Sequence, residues 1–212
     1  MKNQNIADFT ALAAKDVITR AIDALKQNGM TAELVETGEE AKKKVHSLIP
    51  PKAEVMTMTS VTLDQLGLSD HINSSGKHNS VKNKLASMDR ETQGLEMQKH
   101  GAGPEWAVGS VHAVTEDGKV LVASNTGSQL PAYAYGASHV IWIVSTKKIV
   151  KDLDEGLRRI YDHILPLESA RARKAYGLPS TFHSNVSKLL IVNKEVTPDR
   201  IHIIFVNEDF GF

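Results

Sequence analysis

Cysteine is absent from all 212 residues. Its absence excludes disulfides, thiolate zinc sites, iron–sulfur ligation and cysteine nucleophiles within this chain. An excess of charge is also missing, because 25 Lys and Arg balance 25 Asp and Glu. A neutral chain has no global attraction for nucleic acid or an anionic membrane. Basic clusters such as Lys42-Lys43-Lys44 and Lys147-Lys148 are scattered and read as solvated faces. No run approaches the ~18 apolar residues that span a bilayer. The start, Met1 to Ile6, lacks the apolar core of a secretory signal. None of the nine histidines forms an i, i+4 pair or a His-Glu-x-x-His pattern, so no metal site is readable. These exclusions predict a soluble cytoplasmic protein without a metal or other cofactor.

What is present is an alternation of helix and strand patterns. Ile6, Phe9, Ala13, Val17, Ala21 and Leu25 recur at helical spacing and predict a first helix closed by Asn28-Gly29. Ala32 to Val35 reads as a strand, and Thr37-x-x-Glu40 as a capping box opening a second helix. Glu54 to Met58 is a strand candidate, followed by a short helix capped by Thr59 or Ser60 and stopped at Gly67. Residues 69 to 105 are polar and Gly-punctuated, with one weak helix pattern at Val81, Leu85 and Met88. Asp152-x-x-Glu155 opens a helix that Pro166 is expected to end. Ser187 to Val192 and Ile201 to Val206 are closing strands.

Between them, Trp106 to Val150 is the most informative block. Two apolar runs meet at Glu116-Asp117-Gly118-Lys119, and Asp-Gly between strands signals a hairpin. A polar loop and a buried-looking strand, His139 to Ser145, follow. The pattern predicts an α/β fold, a largely parallel sheet flanked by helices with an antiparallel hairpin insertion. We expect one domain over residues 1–212, with a helix–strand portion to residue 50 and the main core from 51 onward.

Several residues are candidates for chemistry. Asn125, Thr126, Gly127, Ser128 and Gln129 offer hydroxyls, amides and closely approachable backbone for a phosphate or carboxylate, although the same residues build ordinary turns. Thr57, Thr59 and Ser60 end a strand and start a helix, where they line a crevice or simply cap. His112 is placed to shuttle protons, or is a satisfied core histidine. Glu116 is the candidate base or nucleophile, or a solvated turn acid.

Ala107 to Gly118, then Gly127-Ser128, Val140 to Val144 and Lys148-Ile149-Val150 resemble the lactate-utilisation (LUD) domain family. The helix from Asp152 and the Pro166 to Arg171 exit are similar as well, so the resemblance spans residues 50 to 171. It implies a fold similar to ribose-5-phosphate isomerases, glucosamine-6-phosphate deaminases and CoA transferases. It also implies association with lactate or related hydroxy-acid oxidation beside iron–sulfur partner proteins. The chain lacks the Cys-rich tail of some members, and Ser184 to Phe212 departs from their Gly-Pro-Ser type ending.

Three functions remain open at this point. One is binding of a small anionic ligand (an organic acid, a phosphorylated metabolite or a CoA-like molecule) in hydroxy-acid metabolism. Another is a stand-alone isomerase or CoA-transferase-type enzyme using Glu116. The last is a non-catalytic sensor or assembly subunit. The apolar strands and helices allow a homo-oligomer without demanding one.

Overall fold

The computed structural model describes residues 8–212, so Ile6 of the expected first-helix face lies outside them. Helix α1 (Lys15–Gln27) is followed by β1 (Thr31–Val35), α2 (Gly38–Leu48), β2 (Glu54–Thr57) and α3 (Val61–Gln65). Next come α4 (Leu68–Ser74), β3 (Asn79–Ser80), α5 (Val81–Ala86) and α6 (Arg90–Ala102). The central block supplies β4 (Trp106–Gly109), β5 (Ala113–Thr115) and β6 (Val120–Ser124). A π-helical turn (Ala132–Gly136) then leads to β7 (His139–Ser145), and a 3₁₀ turn (Thr146–Lys148) to β8 (Ile149–Val150). Helix α7 (Leu153–Arg158), a second π turn (Arg159–Ile164), α8 (Leu165–Tyr176), β9 (Lys188–Val192) and β10 (Ile201–Val206) complete the described fold.

Six strands make a fully parallel sheet in the order β1-β10-β7-β4-β2-β3. Helices α2, α3 and α4 cover one of its faces, and α1 with the second sheet covers the other, so its central strands are apolar on both sides. Trp142, Val144, Ile203 and Phe205 join one buried cluster, while Ile141, Ile143, Ile204 and Val206 join the other. That two-sided burial is why His139 to Ser145 reads as a continuous hydrophobic run rather than an alternation.

The expected antiparallel hairpin forms, and it stands at the centre of a second sheet, β8-β5-β6-β9, of mixed direction. Val114, Val120 and Val122 pack into the cluster shared with Trp142, whereas Ala113, Leu121 and Ala123 face Ile160 and Ile164. Gly118 (φ +79°) closes the hairpin, its N–H donating to the Thr115 carbonyl at 2.9 Å. A left-handed residue is needed there, which is why Asp-Gly carried the signal.

Other local expectations differ for identifiable reasons. The first helix begins at Lys15, and its buried stripe is Ile18, Ala21 and Leu25; Phe9 precedes it and packs beside His163 instead. The Thr37–Glu40 capping box forms as spaced, and Ser60 caps α3. Pro166 does not end its helix. It occupies the first turn of α8, where its missing N–H is harmless, and the π turn before it absorbs the change of register. Gly177, at φ +62°, is the actual stop. Helix α6 escaped detection because it has no buried residue and hence no apolar stripe to read.

Candidate functional site

The chain crosses from the main sheet to the second sheet twice. Strand β4 ends at Gly109, and Ser110-Val111-His112 carries the backbone to β5; likewise Thr146-Lys147-Lys148 carries it from β7 to β8. What reads in sequence as one strand from Trp106 to Thr115 is therefore two, in different sheets. Both crossings lie beyond the C-terminal ends of parallel strands, where open α/β sheets gather their ligands. The end of β2 (Thr57 to Ser60) and the end of β6 (Ser124 to Gln129) reach the same place. Together they line a cavity of about 1320 Å³.

Thr57, Thr59, Ser60, His112, Asn125, Thr126, Gly127, Ser128 and Gln129 all contribute to its wall. Thr57 is buried, and its Oγ1 accepts a hydrogen bond from Asn73 Nδ2 at 2.8 Å. Ser60 Oγ accepts from the Leu63 N–H at 3.4 Å, leaving its hydroxyl proton free. In the loop, Ser124 Oγ accepts from the Gly127 N–H at 2.8 Å and donates to Gln129 Oε1 at 3.0 Å. Thr126 and Ser128 bond each other at 3.1 Å and remain exposed. After the loop, the buried Arg200 ties down the carbonyls of Ala132, Tyr133 and Ala137 around the π turn and is neutralised by Glu195 at 2.7 Å.

Glu116 lies elsewhere. It sits in the hairpin turn at the opposite end of β5, its carboxylate bound by Arg20 Nε at 2.8 Å, and does not line the cavity. His112 and Glu116 therefore flank the same short strand yet face different surroundings. His112 Nδ1 accepts the Ala123 backbone N–H at 3.1 Å, which leaves the ring proton of the neutral form on Nε2. Burial, and then the nearby Lys148 and Arg159 charges, push its pKa down to about 3. At neutral pH it is a hydrogen-bond donor, not a cation or a ready base.

Two residues of the site were invisible in the sequence. Lys148 is 4% exposed and joins the cavity wall. Its Nζ is within 3.1–3.2 Å of Ser110 Oγ, Thr62 Oγ1 and the Val111 carbonyl, all of them neutral acceptors. Burial, followed by repulsion from Arg159 and Lys147, holds its pKa well below the usual lysine range. Arg159, on the second π turn, is fully buried and donates to the carbonyls of His112 at 2.7 Å and Phe212 at 2.9 Å. Burial lowers it to about 10, so it stays charged near neutrality, and its Nε has no partner. Among the described residues no Asp or Glu side chain lies within ion-pair distance of either cation, and Arg159 is held by main-chain oxygens, that of Phe212 at the end of the sequence among them. The one available sequence signal was position: Lys147-Lys148 stands between two buried strand segments, too short a connection for both side chains to reach water.

The segment after β10 closes one side of the cavity. Lys147 is paired with Asp209 and donates to the Gly211 carbonyl at 2.8 Å, while the Gly211 N–H donates to Gln65 Oε1 at 2.6 Å. Gly211 (φ +70°) passes so close that an added Cβ would stand 2.3 Å from Thr62 Oγ1 and 3.0 Å from Lys148 Nζ. Gly211 and Phe212 are thus part of the wall, while Phe210 packs into the cluster on the other face of the main sheet. On the outer side the cavity is flanked by Arg90, Met97 and Gln98 of α6 and by Arg171 and Tyr176 of α8. Arg171 is already committed to a bidentate pair with Glu168 at 2.6 and 2.7 Å.

Comparison with known proteins agrees with this architecture. A crystal structure of a DUF162 family protein from Deinococcus radiodurans superposes with a TM-score of 0.55 at 11% identity, covering 93% of this chain and 100% of that one. A crystal structure of eIF2B beta from Chaetomium thermophilum is more distant, with a TM-score of 0.37 at 12% identity over 56% of this chain and 44% of that one. No curated protein matches the sequence. The LUD domain family model matches residues 18–206, which takes in both sheets and both crossings, and the chain accordingly belongs to the LUD domain family.

Proposed function

We propose that this protein binds a small anionic metabolite in the cavity between its two sheets, in the service of hydroxy-acid metabolism. The observation that carries the proposal is Lys148, a buried lysine in the cavity wall with no Asp or Glu side chain within ion-pair distance among the described residues. Burying a cation without a counter-ion is expensive, and an incoming anion relieves that cost. The hydroxyls of Thr57, Thr59, Ser60, Thr126 and Ser128, with the neutral Nε2–H of His112, supply hydrogen-bond donors around the ligand. Organic acids, phosphorylated metabolites and CoA-like molecules all fit this chemistry. At about 1320 Å³ the cavity is larger than a simple hydroxy acid requires, so the ligand series to be tested extends to CoA. With no cysteine in the sequence, iron–sulfur chemistry in such a process falls to partner proteins.

The test is a melting screen with lactate, related hydroxy and oxo acids, sugar phosphates and CoA. A ligand present at a hundred times its Kd stabilises by about 2.7 kcal/mol. For a chain of this size that is a rise of roughly 5–10 °C in melting temperature. A flat response across the whole series contradicts the proposal.

A further inference from the structure

Lys148 is an unusual lysine even for a binding site, and its surroundings suit a reaction as well as an attraction. A lysine that only attracts an anion works best as a solvated or paired ammonium. Lys148 is 4% exposed and has no Asp or Glu side chain within ion-pair distance among the described residues. Its Nζ is held by two hydroxyls and one carbonyl, and Arg159 and Lys147, both cations, are its charged neighbours. Desolvation beside another cation is the general arrangement that keeps a lysine as the free amine, which is the nucleophilic form.

We propose that Lys148 forms an imine with the carbonyl carbon of a small 2-oxo acid seated in this cavity. The inference rests on the anion-binding role proposed above and names the class of compound bound. Nζ attacks the C2 carbonyl, forming a C–N bond while the C=O π pair moves to oxygen. One proton passes from nitrogen to that oxygen, giving a carbinolamine. The hydroxyl then leaves as water, taking the second amine proton, and a C=N bond remains. Amine and ketone supply every atom, so no oxidant or other reactant is needed. Ser110 and Thr62, 3.1 and 3.2 Å from Nζ, carry hydroxyls able to hydrogen-bond the oxygen as it departs. Arg159 adds fixed positive charge beside the amine to favour the acid's carboxylate.

Incubation of the full chain with pyruvate and cyanoborohydride traps such an imine as a stable secondary amine. Intact mass and peptide mapping should show one reduced adduct per chain, on Lys148, and none with lactate, which has no carbonyl. A lowered lysine pKa leaves more free amine, so labelling of Lys148 should exceed that of any exposed lysine. The Lys148→Arg variant, checked for folding by circular dichroism, should lose the adduct. Labelling spread evenly over surface lysines overturns the imine. So does no adduct while pyruvate still raises the melting temperature, an outcome that leaves the anion-binding reading intact. Absence of both adduct and stabilisation with pyruvate overturns the imine, and the anion-binding reading falls with it only if the rest of the ligand series is flat as well.

Discussion

The two residues that flank β5, His112 and Glu116, have three residues between them and stand in chemically opposite surroundings. At one end Glu116 is a turn acid with an arginine partner, and the Arg20 side chain is half in solvent. At the other, His112 lines a cavity beside Lys148, a buried lysine with no Asp or Glu side chain to match among the described residues. Charge at the first end is satisfied, and charge at the second is left for something else. A paired surface charge of the first kind contributes little to stability or recognition. An unpaired buried cation of the second kind persists against its own cost, and that is what marks a site.

The sharpest way to break this comparison is to remove Arg159. Arg159→Met withdraws charge-assisted hydrogen bonds from the His112 and Phe212 carbonyls, each worth about 1.5–3 kcal/mol. We expect a loss of about 3 kcal/mol or more by chemical denaturation; a near-neutral variant would mean that the cavity wall does not depend on it. A steric probe comes next. Gly109 ends β4 where an added Cβ would fall 1.7 Å from Tyr133 Oη, against a side chain that is fully buried. Gly109→Ala should cost about 1–3 kcal/mol through overpacking, measured the same way.

Acid should distinguish the ends as well. The folded pKa of His112 is depressed from 6.5 to about 3, so the unfolded chain takes up its proton first as pH falls. The stability associated with neutral His112 is present above pH 6.5 and is lost progressively between 6.5 and about 3. The slope from one such group is at most about 1.4 kcal/mol per pH unit. His46 and His163 are lowered too, so the difference between wild type and His112→Asn isolates this histidine. Equal acid slopes in the two proteins would contradict its burial as a neutral ring. The smallest effect belongs to the other end, where Glu116→Gln should change stability by less than about 1 kcal/mol. A larger loss would show that the hairpin turn does more than pair with Arg20.

Much of the scaffold was legible because its signals are local. Asp117-Gly118 announced the hairpin, Thr37 and Glu40 their capping box, and the apolar run from His139 the central strand. The loop Asn125 to Gln129 and the Thr57 to Ser60 corner were legible as strand ends rich in hydroxyls. The site's cations were not. Lys147-Lys148 looks like any solvated pair until both flanking strands are known to be buried in different sheets. Nothing in Trp106 to Thr115 reveals that the strand changes sheets at Ser110. Arg159 lies on a helix whose register shifts through a π turn, so its spacing from Leu153 and Leu157 does not predict its burial. Glu116 drew attention as an acid beside a family-like motif, and only three-dimensional placement shows Arg20 against it.

The comparison between the two ends of β5 is decided most directly by one titration. Wild type, Lys148→Met and Glu116→Gln are each melted against the acid-to-CoA ligand series under identical conditions. The account predicts that a ligand raising the wild-type melting temperature raises that of Glu116→Gln equally and fails to raise that of Lys148→Met. A shift that survives in Lys148→Met and disappears in Glu116→Gln would place the binding site at the wrong end of the strand and contradict it.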